Sequence, residues 1–317
     1  MPCFTPLQAW KGPGGLITLN RNAGWSDRPL SLPCGKCVGC RERKAREWAL
    51  RCLHEAQMHK HNSFITLTYS PEALPNDGGL RIGDFQRFSK RLRKRVGRFR
   101  FYHCGEYGSR NLRPHYHALL FGIDFHQDRV LVQESPYSRY RSATLESVWG
   151  LGRCDIGNIT YESAAYCARY VHKADVSRYG RPGARVEGVV DQDTDDPRYA
   201  RVDPVTGESW QVRPEYSTMS RRPGIGSAWV EKYHADVYPS DEVVHNGRKF
   251  PVPRFYDAKV ALFPSKPGEP SFADLVEEAK VARRRSAERH KEDSSGERLA
   301  VRERCAVARL RLRRREL

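Results

Sequence analysis

The sequence has no apolar run of transmembrane length and no recognisable secretory signal, so neither a membrane-spanning nor an exported chain is expected. No internal repeat stands out, which argues against a solenoid. Acidic residues are the scarcer charge: 38 Asp plus Glu face 55 Lys plus Arg, leaving +17 on 317 residues. Such an excess favours a polyanionic partner, nucleic acid before an acidic membrane surface. A mean hydropathy of -0.71 fits a chain with a polar surface. Nine cysteines are an odd number in a chain too long to need staples. Three are clustered as Cys34-x-x-Cys37-x-x-Cys40, which reads better as metal binding in a reducing cytoplasm than as a disulfide framework.

The first thirty-odd residues are rich in Pro and Gly and read as irregular structure. From 41 to 60, Ala45, Trp48, Ala49, Cys52 and Ala56 fall at helical spacing with basic residues on the other faces. "SFITLTYS" is a strand closed by a proline. "GDFQRFSKRLRKRVG" is an amphipathic helix with Asp84 near its start and Gly97 at its end. "RFRFYHCGEYG" and "HYHALLFGI" form two strands joined by a polar turn. A short helix at "TLESVWG", a strand at "CDIGNIT" and a helix at "YESAAYCARYVHKA" follow. This order predicts an α+β fold, an antiparallel sheet flanked by helices, with an N-terminal Cys-rich segment and a basic helical tail. The expected division is 1–60 for the Cys-rich segment and basic helix, 61–175 for the core, 176–260 for a hairpin insertion and the rest of that domain, and 261–317 for a basic helical or disordered tail.

Eleven histidines in 317 residues yield about 0.4 H-x-H pairs by chance, and this chain has two. His59 and His61 fall at the end of the expected helix, where residues two apart point away from each other. His115 and His117 fall on a strand, where residues two apart share a face and are pre-set to chelate. Glu106, on the preceding strand, would be brought back toward His115 by antiparallel pairing. Two imidazoles and a carboxylate leave open positions on a divalent ion. In "YCARYVHK", Tyr166, Tyr170 and Lys173 lie on one helical face. A tyrosine pair at this spacing is ordinarily core, but a lysine completing the stripe makes a poor core and a good phosphate contact. A phenol with a reference pKa near 10 becomes a usable nucleophile toward a phosphodiester when cations stabilise the developing charge.

"FITLTY", "RPHYHALLFG" and "YCARYVHK", in that order, resemble the three motifs of the HUH endonucleases, the rolling-circle replication initiators. "PCGKCVGCR" and "SRRPGIGSAW" narrow the resemblance to initiators of the microviruses, of the gokushovirus type, over roughly 33–238. The resemblance implies an HUH-type nickase and ligase that cuts one strand of supercoiled circular DNA at the origin. It implies a 5′-phosphotyrosine intermediate and rejoining that releases a closed single strand. His115 and His117 would then be metal ligands, Glu106 the acidic ligand, Tyr170 with Lys173 the Y-x-x-K core, and Tyr166 the second tyrosine. The metal would be Mg²⁺ or Mn²⁺: imidazole favours Mn²⁺, availability favours Mg²⁺. Single-stranded DNA, a host helicase and a host polymerase would be partners, since no G-x-x-x-x-G-K-[ST] phosphate loop is visible. A single-tyrosine plasmid initiator or transposase, or a zinc-containing regulator without catalysis, are the competing readings.

Cys34, Cys37 and Cys40 need a fourth ligand for structural Zn²⁺; Cys3, Cys52 and His54 are available, and Cys3 is favoured because its segment is otherwise untethered. A ferredoxin-type cluster lacks its C-x-x-x-C-P. The basic faces at 41–51 and 90–100 are expected to track DNA backbone, with Phe85, Phe88, Phe99 and Phe101 in the core. The basic tail reads equally as a solvated helix.

Overall fold

Alternation over Asn62–Thr68 (β4) buries Ser63, Ile65 and Leu67 while Phe64, Thr66 and Thr68 stay half-buried. The central strands beside it, Arg100–Tyr107 and Pro114–Phe121, are buried almost throughout, as in a sheet covered on both faces. The computed structural model describes residues 3–108, 111–134, 137–170, 199–203, 205–238, 240–264 and 270–313. In chain order the strands and helices are β1 (Leu7–Lys11), β2 (Ile17–Thr18), β3 (Pro29–Leu32), α1 (Val38–Gln57), β4, α2 (Ile82–Val96), β5 (Arg100–Tyr107) and β6 (Pro114–Phe121). Then come β7 (Arg129–Gln133), β8 (Arg139–Ser142), α3 (Ala143–Trp149), β9 (Cys154–Gly157), α4 (Tyr161–Tyr170), β10 (Ala200–Val202), β11 (Ser209–Gln211) and β12 (Tyr216–Met219). The chain continues through α5 (Ser227–Val237), β13 (Glu242–His245), β14 (Arg248–Pro251), α6 (Arg254–Val260), α7 (Phe272–Arg289) and α8 (Gly296–Arg313).

Two units are distinguishable, 45–276 and the pair of segments 1–44 with 277–317. The larger unit holds a seven-stranded antiparallel sheet in the order β12-β5-β6-β4-β9-β8-β7. Strand parity assigns the two faces. Tyr116, Ala118 and Leu120 of β6 join Phe85, Phe88 and Leu92 of α2 and Leu145, Val148 and Trp149 of α3 in one core. Leu119 and Phe121 turn the other way, to Ala49 and Cys52 of α1 and Ala164, Ala165 and Cys167 of α4. This is the α+β architecture expected, an antiparallel sheet flanked by helices. As expected, Phe85, Phe88 and Phe99 are buried, and Phe101 packs against them.

Several details depart from the sequence reading. The first helix spans Val38–Gln57 rather than 41–60: Asn62 donates its side-chain amide to the carbonyls of Ala56 and His59 and turns the chain. The N-terminal segment, expected to be irregular, carries the three-stranded sheet β2-β1-β3. Its strands of two to five residues, broken by Pro and Gly, are too short to show a period. Of the hairpin insertion expected within 176–260, the described part includes the β10–β11 hairpin. Arg51, placed by spacing on a DNA-facing side, is buried. Its guanidinium lies 3.9 Å from the Trp48 ring and 3.8 Å from that of Phe255, and its Nε donates to the Ile225 carbonyl.

That clamp is part of how the "SRRPGIG" segment is held. Buried Glu55 accepts from Arg100 Nε at 2.5 Å and from the Gly226 amide at 2.7 Å. Gly226 sits at φ 79°, and a Cβ there would meet the Tyr256 hydroxyl at 2.6 Å, so only glycine fits. Close by, His54 stacks on Trp229 with centroids 3.6 Å apart and shares a 2.8 Å hydrogen bond with the Tyr256 hydroxyl. Burial, with His245 nearby, pushes its pKa from 6.5 down to about 3. The folded protein therefore keeps His54 neutral where the unfolded chain would protonate it. Stability contributed this way is complete above pH 6.5 and is lost as pH falls toward 3, at about 1.4 kcal/mol per pH unit. Urea titrations across that window should show the slope in the wild type and a shallower one in His54→Phe; identical slopes would remove His54 as the cause.

Candidate metal centre

His115 and His117 share β6 parity with Leu119 and Phe121, so they extend the face that α1 and α4 cover. The register sets Glu106 of β5 directly opposite His115, and Thr68 and Thr66 of β4 opposite His115 and His117. The antiparallel pairing that the sequence implied thus brings the three together: ligand atoms of Glu106, His115 and His117 lie within 4.8 Å of one another. Both imidazoles direct Nε2 at the same carboxylate oxygen, Glu106 Oε1, His115 at 2.6 Å and His117 at 2.9 Å. Tyr166 reaches the same atom from α4, donating its hydroxyl to Glu106 Oε1 at 2.6 Å, with its ring edge-on to His117.

Proton bookkeeping shows why a cation fits. His115 Nδ1 lies 3.1 Å from the Arg113 carbonyl, which can only accept, so Nδ1 carries a proton. A neutral His115 would then turn its Nε2 lone pair onto a carboxylate oxygen 2.6 Å away, which is repulsive. Either an imidazolium or a cation between the two relieves this. Burial disfavours the charged ring, but Glu106 outweighs it and raises the His115 pKa. Burial wins at His117, whose pKa is lowered, and its Nδ1 faces the Thr66 hydroxyl at 3.0 Å. Burial pushes Glu106 up, yet the two histidines hold its carboxyl well below the usual range. The other carboxylate oxygen, Oε2, is buried with no hydrogen-bond partner among the described residues. Two imidazole nitrogens whose outer nitrogens are already engaged, plus an unpartnered carboxylate oxygen, form a donor set suited to a divalent ion.

One contributor escaped the sequence reading. Glu215, next to the start of β12, is buried and accepts from the Tyr107 amide at 3.4 Å. Its charge also favours protonation of His115. No periodicity marks it; only the pairing of β12 with β5 brings it beside Glu106. Tyr170 closes α4, and its side chain lies outside what the structure describes, as does Lys173 altogether. The twin pair parts company as expected: His59 bonds Glu55 at 3.2 Å and His61 bonds Asp124 at 3.2 Å.

In the smaller unit, the sulfurs of Cys3, Cys34, Cys37 and Cys40 lie within 4.8 Å of one another, and all nine cysteines are free. Cys52 and His54 are buried elsewhere. Cys37 and Cys3 sulfurs are 3.9 Å apart, close to the roughly 3.8 Å edge of a tetrahedron with metal–sulfur bonds of about 2.3 Å. Amides of Phe4, Cys34 and Cys37 donate to sulfurs of the group at 3.2–3.3 Å. Burial raises Cys34, but the Thr5 hydroxyl and the amides of Cys37 and Lys36 outweigh it and bring the thiol down to about 6. Burial and the neighbouring sulfurs push Cys40 up to about 12.

A histidine pair and a carboxylate on the face of an antiparallel sheet, met by a helix-borne tyrosine, and a four-cysteine group make this a protein of candidate metal centres built from different elements. Residues 62–175 match the family model of the replication-associated protein ORF2/G2P. Replication-associated protein VP4 of Bdellovibrio phage phiMH2K is 32% identical over 270 residues, 81% of this chain and 76% of that protein. Replication-associated protein ORF2 of Spiroplasma virus 4 is 29% identical, covering 82% and 80%. ORF4 of Chlamydia phage 1, also a replication-associated protein, is 34% identical over 45% of this chain and 38% of its own length. The chain belongs to the family of phage replication-associated proteins, and is a replication initiator of the microvirus type. No solved structure matches it.

Proposed function

We propose that the protein initiates rolling-circle replication by nicking one strand at the phage origin and later rejoining it, as an HUH-type endonuclease and strand transferase. The observation that supports this most is the Tyr166 hydroxyl, 2.6 Å from the carboxylate oxygen that both histidines face. A nucleophile and a metal centre then meet at one point. His115, His117 and Glu106 would hold Mg²⁺ or Mn²⁺, which when bound supplies charge against the non-bridging oxygens of a phosphodiester. The tyrosine oxygen attacks phosphorus, the P–O3′ bond breaks, and the 5′ phosphate stays on the protein while the free 3′ hydroxyl primes synthesis. Rejoining is the reverse: a 3′ hydroxyl attacks the phosphotyrosine and the phenol leaves. Tyr166 and Tyr170 can alternate in these roles, and Lys173 is positioned by sequence to steady the developing charge. The four cysteines would hold a structural Zn²⁺. Single-stranded and supercoiled circular DNA at the origin are the substrates, met in the cytoplasm of a bacterial host that supplies helicase and polymerase.

The cheapest test is cleavage of single-stranded origin DNA with and without Mg²⁺ or Mn²⁺. His117→Ala should lower metal-dependent cleavage by on the order of 10³-fold. Unchanged cleavage in that variant would count against the centre.

A further inference from the structure

A second histidine-rich group lies outside the proposed active centre. His61, just before β4, and Asp124 and His126, in the loop that leaves β6, bring their ligand atoms within 4.8 Å of one another. His61 Nδ1 lies 3.2 Å from Asp124 Oδ2, and His126 Nδ1 lies 2.7 Å from Asp124 Oδ1. The two rings face each other, with centroids 4.8 Å apart and planes 18° from parallel. We propose that His61, Asp124 and His126 form a zinc site that staples the start of β4 to the loop beyond β6.

The loop is shaped to present these groups. Phe125, between the two loop ligands, is buried at φ 56°, a left-handed conformation unusual for an aromatic residue, and it turns His126 back over Asp124. The His126 amide also donates to Asp124 Oδ1, at 3.2 Å. Two hydrogen bonds fix the loop beside β4: the Gly122 amide donates to the His61 carbonyl at 2.8 Å, and the Ser63 hydroxyl to the Ile123 carbonyl at 2.9 Å. The nearest competing cation is Arg129. Its Nη1 donates to the Asp124 backbone carbonyl at 3.2 Å and makes only a long ion pair, 3.9 Å, with the carboxylate, which a metal would displace.

The ligand chemistry selects the ion. Two imidazoles and one carboxylate suit zinc, with a tetrahedral position left for water. Nitrogens about 2.0–2.1 Å from zinc sit roughly 3.4 Å apart, and an imidazole ligates in its ring plane, so closing the site turns the half-exposed His126 ring out of its stack with His61. Its position gives the staple a purpose. Asn62 pairs with Phe121 at this end of the β4–β6 ladder, and His117 lies four residues along, about 13 Å away. A one-residue slip of that ladder would turn His115 and His117 to the opposite face. A metal bridging both strands at their far end opposes the slip without touching the centre itself.

The test is zinc counting on the full-length chain after equilibration with Zn²⁺ and dialysis, comparing wild type, His126→Ala and Asp124→Asn. The expected result is one zinc fewer per chain in both variants, with zinc raising the melting temperature of the wild type more than theirs. His126 is exposed enough that its removal spares the fold, and origin-nicking assays on His126→Ala keep this question apart from that of the active centre. Equal zinc content in wild type and His126→Ala would overturn the proposal.

Discussion

Replacing both Tyr166 and Tyr170 with phenylalanine should yield a protein that folds, binds DNA and forms no covalent adduct with it. Each single change should leave partial nicking, between about two- and tenfold below wild type, because either phenol can serve a first cleavage. At Tyr166 the substitution is mild for the structure. Phenylalanine keeps the edge-on contact with His117 and loses the hydrogen bond to Glu106. The lost bond is chemically informative, since it frees one acceptor site on Glu106 Oε1 while leaving both histidines facing it. Tyr170 follows four residues later on α4, about 6 Å further along the axis, and the two positions share a face. The measurement is a denaturing gel of a 3′-labelled origin oligonucleotide, on which the label migrates with the protein when the 5′ phosphate is held. An adduct that persists in the double variant would transfer the nucleophile to another residue and sink the assignment.

The separation between what sequence revealed and what it hid follows the range of the interactions. His115 and His117 were legible because their relation is local: a strand puts alternate residues on one face whatever it pairs with. Glu106 required one further step, antiparallel pairing through a short turn, and the register places it opposite His115. Glu215 required knowing that a strand more than a hundred residues away returns to the edge of β5, which no local pattern encodes. His61 was set aside correctly as a partner for His59, yet its partners Asp124 and His126 come from the loop after the neighbouring strand, some sixty residues on and beyond any spacing argument. The helix over "GDFQRFSKRLRKRVG" was legible to its last residue because Gly97, at φ 84°, ends it. The N-terminal sheet was not, since two- to five-residue strands hold too few alternations to rise above their prolines. Arg51 shows the remaining blind spot: spacing gives a residue's face on its own helix, not whether Trp48 and Phe255 wait there to cover it.

Removing the zinc proposed for the four cysteines should have the largest structural effect, confined to the smaller unit. That unit has little apolar material to stand on. Its buried hydrophobic cluster consists of Phe4, Leu299 and Ala306, with Cys37 and Val38 packed against it, while Leu7, Leu16, Ile17 and Trp25 are exposed. A core so small supplies only a few kcal/mol, whereas four thiolates closing on zinc contribute on the order of 10 kcal/mol. Metal binding and folding are then one event, and Phe4 beside Cys3 and Cys37 ties the N-terminal segment to α8 within it. Cys34→Ser, which removes the thiol already lowered to about 6, or a strong chelator, should abolish amide protection in 3–44 and 296–313. Protection in β4, β5 and β6 should persist, because their cores are built from other residues. Hydrogen exchange with and without chelator reads both regions in one experiment. If the terminal segments stay protected while all nine thiols titrate freely, the cysteines are ordinary buried side chains and the unit stands on its apolar contacts alone.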